Sequence, residues 1–327
     1  MTQLWLWLGF GAFIAVMLAV DLGIVNRKAR VISVREAARW TAVVVSTAAA
    51  FNSWIFLAHG RQSGLEFLTG YLIELALSVD NIFVFILIFS YFRVPAVYQH
   101  RVLFWGIFGA LVMRGMMIAA GWLLIERFHW IIYVFGAFLV FTGIRMAVQD
   151  ETEIEPEANP VLRLVRRLLP VTSTYEGQRF FVRARLGDGT LRLMATPLAV
   201  VLVMVETTDL VFAVDSIPAV FAITTDPFLV FTSNVFAILG LRSLYFLLAG
   251  IIEKFHFLKL GLAVVLTFVG VKMLITYFHV EIPVGISLAA VGAVLALSVI
   301  ASLAFPKAAE AHAPVARPSS SRARPHT

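Results

Sequence analysis

Cysteine is missing altogether from this chain of 327 residues. That excludes disulfides, thiolate metal sites and thiol redox chemistry. Charge is scarce too: Asp, Glu, Lys and Arg make up 14% of the chain, against about 25% in soluble domains. No zinc-type His-Glu motif and no paired nucleophile and base stand out, so an enzyme is not expected. The opening Met1-Thr2-Gln3 lacks the basic region of a signal peptide, and the first apolar run is expected to be retained.

What the chain has in quantity is apolar surface, 60% of its residues. Nine runs are long enough to cross a bilayer, at about 4–25, 39–59, 67–91, 102–124, 129–148, 193–221, 227–249, 256–276 and 281–304. The pattern predicts an all-α polytopic membrane protein. Basic residues alternate between the connections. Arg27, Lys28, Arg30, Arg35 and Arg39 follow the first run; Arg93 and Arg101 follow the third; Arg163, Arg166, Arg167, Arg179, Arg183, Arg185 and Arg192 follow the fifth. By the positive-inside rule this places the N-terminus outside and the C-terminus in the cytoplasm. The net charge of +6 therefore speaks for a lipid bilayer as partner and not for nucleic acid. Residues 305–327, rich in Ala, Pro, Ser and Arg, read as a disordered cytoplasmic tail.

Inside these runs lie acids, in two related blocks. Glu74-Leu-Ala-Leu-Ser-Val-Asp80-Asn81-Ile82 is matched by Asp209-Leu-Val-Phe-Ala-Val-Asp215-Ser216-Ile217, with Glu206 just before the second. A carboxylate at bilayer depth costs about 2.5–3.5 kcal/mol and needs a partner or a task. The likeness continues downstream through Arg114 and Arg242, Glu126-Arg-Phe-His129 and Glu253-Lys-Phe-His256, and Gly143-Ile-Arg145-Met146 and Gly270-Val-Lys272-Met273. This ordered recurrence defines two three-helix units, 67–148 and 193–276, separated by a cytoplasmic loop, 149–192. An odd number of crossings per unit inverts one relative to the other, a common plan in transporters with a midplane site. Residues 1–62 and 280–304 supply two flanking helices before the repeat and one after it.

On a helix, Glu74, Ser78 and Asn81 share a face, as do Asp209 and Ser216, while Asp80 and Asp215 point about 120° away. Regular helices would turn these two toward Arg114 or Arg242; alternatively, Pro218 breaks its helix, frees the Val214 carbonyl and lets all the acids converge. A purely structural reading pairs the acids with the two arginines, but five acids then leave three over. The surplus predicts a cation pathway lined by Glu74, Asp80, Asn81, Glu206, Asp209, Asp215 and Ser216. Arg114 and Arg242 are accessory counter-charges, and Asp21 is either an accessory member or a boundary acid paired with Arg27 or Lys28. His129 and His256 read as interfacial residues. Oxygen donors alone suit Mg²⁺, Ca²⁺ or Mn²⁺, and equally a proton or Na⁺. In the loop, Phe180-Phe181-Val182 and the Gly187-Asp188-Gly189 turn fit a short hairpin.

Both acidic motifs closely resemble those of the TerC/Alx family, and the resemblance covers about residues 10–276. It implies a multi-pass inner-membrane protein of metal homeostasis, with manganese efflux responsive to alkaline pH in some members and a tellurium-resistance label in others. Tellurite is an anion, which a carboxylate-lined cavity repels. The expectation is therefore Mn²⁺ efflux with proton dependence, the ion being cargo rather than cofactor. The rival is a membrane-embedded metal sensor or assembly partner that moves nothing.

Overall fold

The computed structural model describes residues 2–20, 32–148, 163, 167, 170–172, 174–185 and 191–305. Among them are nine α-helices: α1 (Thr2–Val20), α2 (Val34–Ala58), α3 (Gly60–Tyr91), α4 (Ala96–Arg127), α5 (Ile131–Val148), α6 (Pro197–Phe221), α7 (Pro227–Leu248), α8 (Leu258–Ile275) and α9 (Val284–Ala304). Eight are long and apolar enough to cross a bilayer; in α1 the apolar stretch is the shorter Leu4–Val20. At 1.5 Å per residue the 32-residue α3 and α4 reach about 48 Å, well beyond a hydrocarbon core of about 30 Å.

The expected spans correspond to helices, with two boundaries set by local chemistry. Gly60 takes φ +90°, a left-handed conformation that reverses the chain between α2 and α3 with no intervening loop. The sixth span begins at Pro197, later than residue 193, because Leu191–Ala195 forms β2, paired antiparallel with β1 (Phe181–Arg185). Proline at the first helical position loses no hydrogen bond and fixes the start. The expected hairpin thus exists, and its turn, 186–190, lies outside the described residues. The segment leading into it is tied to the bundle. The Tyr175 hydroxyl donates to the Phe92 carbonyl at 2.7 Å, and Arg101 donates to Gln178 at 3.2 Å while lying 5.3 Å from the Phe180 ring centre.

Helices α3, α4, α6 and α7 form the centre of the molecule. α3 packs against α7, α6 against α4, and α5 lies along α8 more extensively than any other pair meets. α9 covers α3 and α8, α2 covers α7 and α3, and α1 docks on α7 through Trp7 and Phe10 against Phe228. Outward apolar side chains such as Phe141, Leu297 and Ile300 stay exposed, as a lipid-facing surface requires.

The α5–α8 contact depends on glycine. A Cβ on Gly270 would stand 2.7 Å from the Gly136 carbonyl oxygen, and one on Gly143 would stand 2.8 Å from that of Ala263. Moving 127 positions along the chain takes Gly136 to Ala263 and Gly143 to Gly270, so each contact is the other with its partners exchanged. Gly270→Ala should force the helices apart and cost about 1–3 kcal/mol, read as a lower unfolding temperature of the detergent-purified protein.

Candidate functional site

The site begins with the face of α3. Glu74, Ser78 and Asn81 are spaced i, i+4 and i+7, and all three are buried, Glu74 completely. They face α6, which brings Asp209 and Ser216, both buried. α7 adds Asn234 and α4 adds Arg114, whose side chain is 2% exposed. Four helices thus converge on one guanidinium.

Each of its three nitrogens donates. Arg114 Nε donates to Asp209 Oδ2 at 3.1 Å and Nη2 to Asp209 Oδ1 at 3.0 Å, the two-pronged geometry that carboxylates form with arginine. Nη1 donates to Glu74 Oε1, to Ser216 Oγ at 3.2 Å and to Asn234 Oδ1 at 3.3 Å. Asn81 Nδ2 donates to Asp209 Oδ1 at 3.4 Å, while Ser216 stands beside Glu74, both accepting from Arg114 Nη1. Moving 135 positions takes Glu74 to Asp209 and Asn81 to Ser216, so these two contacts are exchanged copies as well. They also show α3 and α6 running antiparallel. Around this hub, Glu74 Oε2, Ser78 Oγ, Asn81 Oδ1 and Asn234 Nδ2 are buried without a hydrogen-bond partner.

The remaining acids occupy other positions. Helix α6 runs unbroken through Pro218 to Phe221, and Val214 sits on its outward face, 43% exposed. No break gathers the acids, and no Val214 carbonyl joins them. The helical phase keeps Asp80 and Asp215 off the shared face, as regular helices require, but neither meets Arg114 or Arg242. The cation beside Asp80 is Lys259 of α8; Asp215 lies near Thr142 and Arg145, both of α5. Each is about 9 Å along its helix from the central carboxylate, in opposite directions because the helices are antiparallel. Glu74, Asp209, Asp80 and Asp215 therefore stand at three depths.

Glu206 lies one turn from Asp209 and is half-buried, its carboxylate set against Gly109 of α4, where any Cβ would collide with it. Arg242 is away from the hub, 3.1 Å from His100 Nε2. Arg114, expected only as an accessory, is the centre. Asp21 lies outside the described residues. His129 is exposed at a helix end, as an interfacial residue would be. Asn234 escaped the sequence reading, although Thr232-Ser233-Asn234 in mid-span was a signal of the same kind as the acids. Among the described residues, no three Asp, Glu or His side chains form a ready-made metal site.

A family model described as "Integral membrane protein TerC family" matches residues 59–310. A Myxococcus xanthus protein, "Uncharacterized membrane protein STKORF319", is 53% identical over 298 residues, 91% of this chain and 92% of that protein. An Escherichia coli (strain K12) protein, "Putative membrane-bound redox modulator Alx", is 50% identical over 304 residues, 90% of this chain and 93% of the relative. An "Uncharacterized membrane protein" of Rickettsia bellii is 39% identical over 297 residues, 91% of this chain and 96% of its own length. No solved structure matches the chain.

Removing one member of a buried charge cluster strands the others. Arg114→Gln should cost about 3–5 kcal/mol, whereas Asp80→Asn, at a half-buried position, should cost measurably less; chemical unfolding of the purified variants compares the two.

Proposed function

Because the chain belongs to the TerC family of integral membrane proteins, we propose that it exports a divalent metal cation, Mn²⁺ foremost, from the cytoplasm across the inner membrane. The observation that carries this reading is the meeting of Glu74 and Asp209, from opposed halves, at one buried point rich in oxygen. Two carboxylates with Asn and Ser oxygens are hard donors of the kind Mg²⁺, Ca²⁺ and Mn²⁺ take.

In this reading the N-terminus is outside and the C-terminus cytoplasmic, which puts Asp80 on the cytoplasmic side of the hub and Asp215 on the outer side. An ion attracted by Asp80 passes to Glu74, Asp209, Asn81 and Ser216 and leaves by way of Asp215. Glu206 adds a further charge beside Asp209. The inverted units rock about the hub to expose it alternately, with the α5–α8 contact as a symmetric pivot. Protons and metal compete for the same carboxylates, so alkaline conditions favour the metal. No covalent chemistry is assigned to the site.

A second reading, a metal sensor or assembly partner without transport, draws support from Arg114, which fills the hub as it stands. The relatives' description as redox modulators bears on thiols not at all here, since the chain has no cysteine.

Reconstitution into proteoliposomes separates the readings. Export predicts Mn²⁺ flux, with Asp209→Asn and Glu74→Gln each lowering it about tenfold or more; Mn²⁺ binding without flux favours the sensor, and neither binding nor flux overturns both.

A further inference from the structure

If the cation reading holds, the occupant of the hub needs an explanation, because a guanidinium now sits where the cargo should be. We infer that Arg114 is a resident cation that the metal displaces, and that Glu206 receives the displaced guanidinium.

Three observations carry this. First, the atoms accepting from Arg114 form a cage suited to a metal: Glu74 Oε1, both Asp209 oxygens, Ser216 Oγ and Asn234 Oδ1. The cage holds more acceptor capacity than the guanidinium uses, since Glu74 Oε2 and Asn81 Oδ1 are buried and unpartnered. Unused buried acceptors are costly unless something else fills them.

Second, the charges do not permit sharing. Two carboxylates compensate one guanidinium with one negative charge over, or a divalent ion alone; a guanidinium and a divalent ion side by side repel strongly in a low-dielectric interior. Binding of one requires departure of the other.

Third, a landing place exists. Side chains on a helix lean toward its N-terminus, so Arg114 reaches back along α4 toward Gly109. There the missing side chain lets the Glu206 carboxylate lie against the helix backbone. No side chain among the described residues hydrogen-bonds to Glu206, and its charged neighbour is Asp209, of the same sign. With the metal in the cage and Arg114 on Glu206, each centre is neutral. Gly109 is thus a positioning residue for Glu206, and Glu206 acts on the metal through Arg114.

The test is a mutant cycle on Mn²⁺ affinity, measured by calorimetry on the full chain in lipid nanodiscs. Arg114→Lys, which keeps the charge but loses the two-pronged grip, and Arg114→Gln should both tighten Mn²⁺ binding, by about tenfold for the latter. Glu206→Gln should weaken it about tenfold when Arg114 is present, and should have no further effect in the Arg114→Gln protein. Gly109→Ala, which leaves every charge in place, should reproduce the Glu206→Gln effect. If Arg114→Gln does not fold, the cycle is closed with Arg114→Lys, where the Glu206→Gln effect should shrink. An equal Glu206→Gln effect in both backgrounds makes Glu206 an ordinary ligand and overturns the exchange. Unchanged or weaker binding in both Arg114 variants overturns it too. Absence of Mn²⁺ binding in every protein, wild type included, removes the cation reading itself, a result distinct from either.

Discussion

A single buried guanidinium fixes how the central helices meet. Arg114 is 2% exposed, and a charge so far from water persists only when paired and hydrogen-bonded. Glu74 and Asp209 supply the charge, and Ser216 and Asn234 add neutral acceptors. Because these partners belong to α3, α6 and α7 while the arginine belongs to α4, satisfying one side chain sets the mutual placement of four helices. The packing of the apolar cores around it follows from that placement. A cluster of this kind is weak as a source of net stability but strict about geometry, since any misplaced helix strands a charge.

The halves repeat in their scaffold and differ at their centre. The glycine contacts of α5 and α8 exchange under one shift along the chain, and the Asn81–Asp209 and Glu74–Ser216 contacts under another. Arg114 and Arg242 stand at matching places in the two units, yet one gathers two carboxylates while the other lies against His100. The framing contacts are thus symmetric while the hub they surround is not. The three depths at which Glu74, Asp209, Asp80 and Asp215 stand are a direct result of antiparallel α3 and α6, each carrying its second carboxylate six residues onward.

Small residues decide where polar groups approach backbone. Gly109 admits Glu206, and Gly136, Gly143 and Gly270 admit the facing helix. In a bilayer, where lipid offers apolar side chains as good a neighbour as protein does, such close approach and buried polar contacts are what select one helix pairing over another.

The apolar runs, their approximate ends and the acidic faces could all be read along the chain. Lipid as solvent demands long apolar helices with internal hydrogen bonding, and the 3.6-residue period alone places Glu74, Ser78 and Asn81 together and Asp80 apart. Periodicity says which way a side chain points on its own helix, but not what it meets. Only the tertiary packing chose Arg114 over Arg242 for the hub, sent Asp80 to Lys259 and Asp215 to Thr142, and brought in Asn234. It also kept α6 continuous through Pro218. Partner choice depends on how neighbouring helices cross and on which side chains let them close, and those distances exist only once the bundle has formed.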